Sequence, residues 1–172
     1  MLINLTPTVA LTYLFGMAEL FTIGYENTTV DRFIQVLRSR KIEVLIDVRD
    51  APISRKPGFS KSSLSAAIEA AGINYEHWQM LGCPRPIRHD YKDDGNWKRY
   101  TLRYQRHLEG LGDTLELLGS RVLKERICLV CFEADHRFCH RSYIAEAVQQ
   151  LLPRTASLIH LTKTGLTAAK GL

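Results

Sequence analysis

The 172-residue chain has little that marks a secreted, membrane-bound or repetitive protein. Its first twenty residues, MLINLTPTVALTYLFGMAEL, are apolar but have no basic leader and include Glu19. That stretch is a poor export signal, and it is too short and interrupted for a bilayer span. There is no internal repeat and no low-complexity tract, which excludes solenoids and arrays. Cysteine occurs only four times, at 83, 128, 131 and 139. With no sign of export, reduced thiols and a cytoplasmic location are expected, with no membrane as partner. A second CxxC knuckle to pair with Cys128-x-x-Cys131 is missing, as are RRM, KH and zinc-finger patterns.

What is present alternates. LFTIG (20–24) and EVLIDVRD (43–50) are β-rich runs, and INYEHW (73–78) alternates as a strand should. RICLVCF (126–132) is the clearest strand, and SLIHL (157–161) reads as the last. Between them lie helical patterns. One opens at Thr28 with Asp31 three residues on. Another runs over 60–72 with Ser60 as N-cap and Gly72 as stop. Three more cover 96–109, 113–122 and 141–152. The segment with Gly82, Pro84 and Pro86 reads as polar loop. The alternation predicts an α/β domain over 17–172: three layers, a mostly parallel sheet and helices on both faces, in a Rossmann-like or rhodanese-like topology. Residues 1–16 read as an N-terminal extension.

Ligands of such sheets bind outside the carboxyl ends of the strands. Three strand ends carry unusual residues: Gly24 to Asn27, Asp47 to Asp50, and Cys131 to Glu133. Cys139 opens the following helix, where unpaired N–H groups and neighbouring His136, Arg137, His140 and Arg141 favour a thiolate. Cys128 lies inside the strand and reads as a small hydrophobe. Cys128 and Cys131, three apart on a strand, face opposite ways and do not chelate together. Asp47 is expected to orient a loop or histidine, and Arg49 to clamp an anion. Ser54, Arg55 and Lys56 stand on a loop before a helix start, which suits an oxyanion. Trp78 and Trp97 read equally as packing or ligand-stacking residues, and His77, His89, His107 and His160 as structural or surface groups.

The net charge is +5, and much of it is concentrated. Between Arg85 and Arg106 seven basic residues face three aspartates, with Tyr91, Trp97, Tyr100 and Tyr104 interleaved. That pattern suits a solvated helix face, or an anionic partner such as a nucleotide or nucleic acid.

The pieces TIGYEN (22–27), IDVRDAPISR (46–55), GFS (58–60), AAGINYEHWQMLG (70–82) and CFEADHRFCHRSYIA (131–145) resemble the family grouped as domain of unknown function 488. The resemblance implies a single cytoplasmic α/β domain and no particular reaction. By motif position it implies a site of Gly24, Asp47, Arg49, Ser54, Arg55, Cys131, Glu133, Cys139, His140 and Arg141. The family usually has histidine after the first glycine, where this chain has Tyr25. LIDVRDAP also resembles the rhodanese entry motif, a family whose strand-end cysteine carries sulfane sulfur; here the loop after Cys131 is longer and lacks the usual glycine.

Three readings stand at this level. In the first, the chain is a thiol-dependent, sulfurtransferase-like enzyme for an anionic small molecule. Cys131 or Cys139 is then the nucleophile, Asp47, Glu133 and His140 handle protons, and Gly24, Arg49, Ser54, Arg55 and Arg141 bind the anion. In the second, it is a nucleotide- or nucleic-acid-binding module using 85–106. In the third, Cys131, Cys139, His136 and His140 hold a metal; no other cofactor is expected.

Overall fold

The computed structural model describes residues 17–167. The expectation for residues 1–16 lies outside that range. Six strands form one sheet: β1 (Glu19–Gly24), β2 (Val44–Asp47), β3 (Asn74–His77), β4 (Ile127–Cys131), β5 (Ser157–Thr162) and β6 (Gly165–Thr167). Their order is β3-β2-β4-β1-β5-β6. The first five are parallel, and β6 pairs antiparallel with β5. Six α-helices accompany them: α1 (Val30–Ser39), α2 (Lys61–Ala70), α3 (Arg85–Asp94), α4 (Trp97–Glu109), α5 (Gly112–Val122) and α6 (His140–Leu151). None is long and apolar enough to cross a membrane.

The strands alternate between two cores, as a period of two requires. Leu20, Val44, Ile46, Ile127, Leu129 and Cys131 face one cluster, filled by Tyr104, Leu118, Ile144 and Val148 of α4, α5 and α6. Phe21, Ile23, Leu45, Cys128 and Val130 face the other, filled by Phe33 and Leu37 of α1 and Leu64 and Ile68 of α2. Helices therefore cover both faces, and every residue of β4 is buried, as a central parallel strand must be. Leu64 and Ile68, fully buried, each contribute about 1.5–3 kcal/mol of apolar burial.

This arrangement fixes where a ligand goes. The chain leaves β1 and β2 onto the α1–α2 face but leaves β4 onto the α6 face. Connections diverge on either side of β4, so a crevice opens at its carboxyl end.

Three local expectations change. Residues 85–94 are a helix, not a loop. Pro86 sits in its first turn, where no N–H is needed, and Gly95 stops it in the left-handed region at φ 63°. The N-cap of α1 is Thr29, not Thr28: the Thr29 hydroxyl accepts from the Arg32 N–H at 3.3 Å. Ser60 caps α2 by position, but its hydroxyl donates to Ser63 at 2.9 Å and not to the helix backbone.

Candidate functional site

Strand β4 ends at Cys131, and the chain then turns through Phe132–Ala134 and a 3-10 turn at His136–Phe138. Neighbours pin that turn. The Tyr25 and Glu26 amides donate to the carbonyls of Cys131 and Phe132 at 3.2 and 2.8 Å. The Glu26 carboxylate accepts from the Ala134 N–H at 3.0 Å. Gly24 makes the approach feasible, because a Cβ there would collide with the Glu133 carbonyl oxygen. Arg141, fully buried, donates to the Glu133 and Ala134 carbonyls at 2.6 and 3.2 Å. Its Nε is buried without a partner. Gly24 and Arg141 thus hold the turn's backbone.

The turn folds Glu133 back under two thiols. One carboxylate oxygen, Oε2, lies 3.1 Å from Cys131 Sγ and 3.0 Å from Cys139 Sγ. Cys139 is the N-cap of α6, and His140 follows it. The His140 Nε2–H donates to the Val48 carbonyl at 2.8 Å. That bond turns Nδ1 toward Cys131 Sγ, 3.6 Å away. All four side chains are buried or nearly so.

Their ionisation is shared. Burial alone would raise the Cys139 thiol, but the Cys131 hydrogen bond, the Arg141 charge and His140 together bring it well below its ordinary value. Cys131 is raised well above it, first by its hydrogen bond to Cys139, then by burial and the nearby Glu133 charge. Burial, followed by the Cys139 charge, pushes Glu133 up to about 7. Burial pulls His140 down, but Cys139 more than reverses this and leaves it raised. One proton leaves the thiol pair easily and the second is retained.

A cleft of about 510 Å³ opens above this cluster. Cys131, Glu133 and His140 reach it, and Cys139 does not line it. Ser54, Arg55 and Lys56 form one wall, with the Ser54 hydroxyl accepting from the Lys56 N–H at 3.2 Å. Arg88, Tyr91 and Lys92 of α3 form another.

Asp47 and Arg49 lie beside the cluster but are committed to each other. Arg49 Nε and a terminal nitrogen donate to the two Asp47 oxygens at 2.8 and 2.5 Å. Its other terminal nitrogen donates to the Tyr25 hydroxyl and the Phe59 carbonyl at 2.9 and 2.8 Å. Asp47 also accepts from the Tyr75 hydroxyl at 2.7 Å. Asp47 therefore orients Arg49 and not a histidine, and Arg49 borders the cleft with one N–H left over. Tyr25, where the family usually has histidine, supports this pair and stacks on Phe59 at 4.4 Å.

The metal set changes in one member. The ligand atoms of Cys131, Cys139 and His140 all lie within 4.8 Å of one another. His136 is not with them; it stacks on His160 at 3.7 Å. In the basic segment, Arg88, Arg99 and Arg103 pair with Asp50, Asp94 and Asp90. Tyr100 and Tyr104 are buried, and the Tyr104 hydroxyl donates to the Leu81 carbonyl at 2.6 Å. Trp78 is a packing residue, donating to Glu76 at 2.8 Å beneath Arg121. Trp97 packs on Tyr100 at 4.8 Å and borders the cleft.

Sequence reasoning missed Cys83. It is fully buried in the cleft wall, where burial pushes its thiol up to about 11. Nothing around position 83 signals this, because the contact is made by distant chain.

A family model described as "Domain of unknown function DUF488" matches residues 29–148. No curated protein and no solved structure matches the chain. The match spans most of the sequence, and the chain belongs to that family.

Proposed function

We propose that this DUF488-family chain is a thiol-dependent group-transfer enzyme for an anionic substrate, with Cys131 as the attacking sulfur. The observation that carries this reading is the sharing of one Glu133 oxygen by two thiols at the floor of a cation-walled cleft. Cys131 faces the cleft, and Cys139 sits at a helix start that favours negative charge. Moving one proton between the sulfurs places the thiolate on Cys131, with Cys139 or His140 taking its proton. The sulfur attacks the electrophilic atom of the transferred group, and the S–X bond forms as the bond to the leaving group breaks. The leaving group departs with the electron pair and takes the proton of Glu133, which burial keeps protonated up to about pH 7. An acceptor then removes the group from sulfur. Arg55, Lys56 and Lys92 line the cleft without a carboxylate partner among the described residues and meet the anion.

The test is the pH dependence of alkylation at each cysteine, read by peptide mass spectrometry on reduced, folded protein. The first proton of the Cys131–Cys139 pair should leave below the reference of about 8.5, with the label appearing on Cys131, the sulfur that lines the cleft. In Cys139→Ser, which removes the hydrogen bond and charge that raise Cys131, the label should stay on Cys131. A Cys131 that reacts only above the reference value in the wild type defeats the proposal.

A second reading rests on the orientation of His140. Its Nε2–H is fixed on a backbone carbonyl and its Nδ1 faces the thiols, as a metal-bound histidine is held. Cys131, Cys139 and His140 would give zinc three ligands and leave one position open to the cleft. This reading predicts that equimolar zinc blocks alkylation of both cysteines and that EDTA restores it.

A further inference from the structure

The chemistry of the cleft extends beyond its floor. Five cations reach it, Arg49, Arg55, Lys56, Arg88 and Lys92, against two acids, Asp50 and Glu133. Arg49 and Arg88 are paired with aspartates. Among the described residues Arg55, Lys56 and Lys92 have no carboxylate partner, so this positive charge is divided between the loop after β2 and helix α3. Such a cleft favours an anion, and these cations are too spread out to be needed by a single small ion.

Part of the wall is aromatic. Trp97 stacks on Tyr100 at 4.8 Å and 13°, with Tyr91 edge-on to Trp97 at 5.5 Å. Phe138 continues the row, 5.8 Å from Trp97, and is 56% exposed. Phe132, 44% exposed, stands at the same cleft and leans edge-on against Tyr25 at 5.3 Å. Two half-open phenylalanine rings at the mouth of a charged cleft leave apolar surface in water, which a planar ligand would cover. The volume, about 510 Å³, lies in the range of sites that enclose a small organic ligand. A free phosphate or sulfate would leave the aromatic wall bare.

We infer that the cleft takes a nucleoside monophosphate or a molecule of that build: a planar base against Phe138 and Trp97, and a phosphate among Arg55, Lys56 and Lys92. This names the substrate class of the thiol site and rests on the reading above. The phosphate end is held by charge and the base by stacking, so the two ends are separable in a test.

The experiment is calorimetric titration of the full chain with AMP, adenosine and inorganic phosphate at near-physiological salt. AMP should bind about tenfold or more tighter than phosphate, the increment that one stacked base supplies. Phe138→Ala should weaken AMP several-fold and leave phosphate unchanged. Lys92→Ala should weaken both. Both side chains are at least partly exposed, so the variants keep the fold. Saturating AMP should also slow alkylation of Cys131 in the wild type. AMP binding no tighter than phosphate, or unaffected by Phe138→Ala, overturns the inference. Cys131→Ser separates this result from the enzyme proposal. If it binds AMP normally while the wild-type thiol proves unreactive, the nucleotide site stands and group transfer falls. A reactive thiol with no AMP preference gives the reverse.

Discussion

Arg49 and Arg88 each pair with an aspartate and each border the same cleft, yet their surroundings give the two pairs different weights. The Arg49–Asp47 pair is 6% and 0% exposed, and every bond it makes is inside the protein. The Arg88–Asp50 pair is 40% and 26% exposed. Removing one partner of a buried pair leaves an uncompensated charge, at a cost of about 3–5 kcal/mol, whereas a surface pair is worth about 0–1 kcal/mol. Asp47→Ala should therefore lower the urea unfolding free energy by about 3–5 kcal/mol, and Arg88→Ala by less than about 1 kcal/mol. Equal losses would contradict the burial argument. The same contrast shows what a sequence can reveal about single residues. DVRD placed Asp47 and Arg49 at a strand end two apart, and that spacing made their contact readable. Whether Arg49 reached outward or inward depended on Tyr25 and Phe59, ten or more positions away, and no local pattern carries that.

At the scale of elements, strand β4 and helix α6 were legible because both have an apolar face that must be covered. The polar cluster between them stood out against those runs. Helix α3 was not legible. RPIRHDYKDD buries only Ile87, so it has no apolar stripe, and Pro86, with Pro84 just before the helix, resembles the prolines of a loop. Strand β6 has three residues and pairs only with β5, too few for a pattern of period two. Helix starts were placed to within a residue, but their energetics were not. Thr29 accepts a backbone hydrogen bond from α1, while Ser60 makes none to α2. Thr29→Ala should cost about 1 kcal/mol, the usual loss of an N-cap. Ser60→Ala should cost clearly less in the same urea titration, although both residues are of cap-forming type. A larger loss at Ser60 would mean that its hydroxyl serves the helix after all.

At the scale of the whole molecule, the site is an assembly of distant segments. Gly82 carries the chain against Asp50, where a Cβ would collide with the Asp50 backbone, and so seats Cys83 in the wall. The family motifs identified the thiol side of the cleft; this third thiol lay outside their logic. Assembly also ties the site to global stability through two buried groups whose pH responses oppose each other. Burial, then the charge of Cys139, holds Glu133 at about 7, against an unfolded value of about 4.3. The folded chain binds this proton more tightly, so its contribution is complete below pH ~4.3 and is lost as pH rises through about 7. Burial, then the charges of His136 and Arg141, holds His160 down at about 4, against about 6.5 unfolded. Its contribution is complete above pH ~6.5 and is lost as pH falls through about 4. Between those limits acidification strengthens the fold at Glu133 and weakens it at His160, so each masks part of the other's slope. Replacing either group should expose the other. In urea midpoints measured at pH 7.5 and pH 5, Glu133→Gln should lose more stability on acidification than the wild type. His160→Asn, which keeps an acceptor for Thr22 Oγ1, should lose less. If both variants follow the wild-type slope, the two groups do not titrate differently in the folded and unfolded chains, and the buried carboxyl proposed as the proton donor is not held protonated near neutrality.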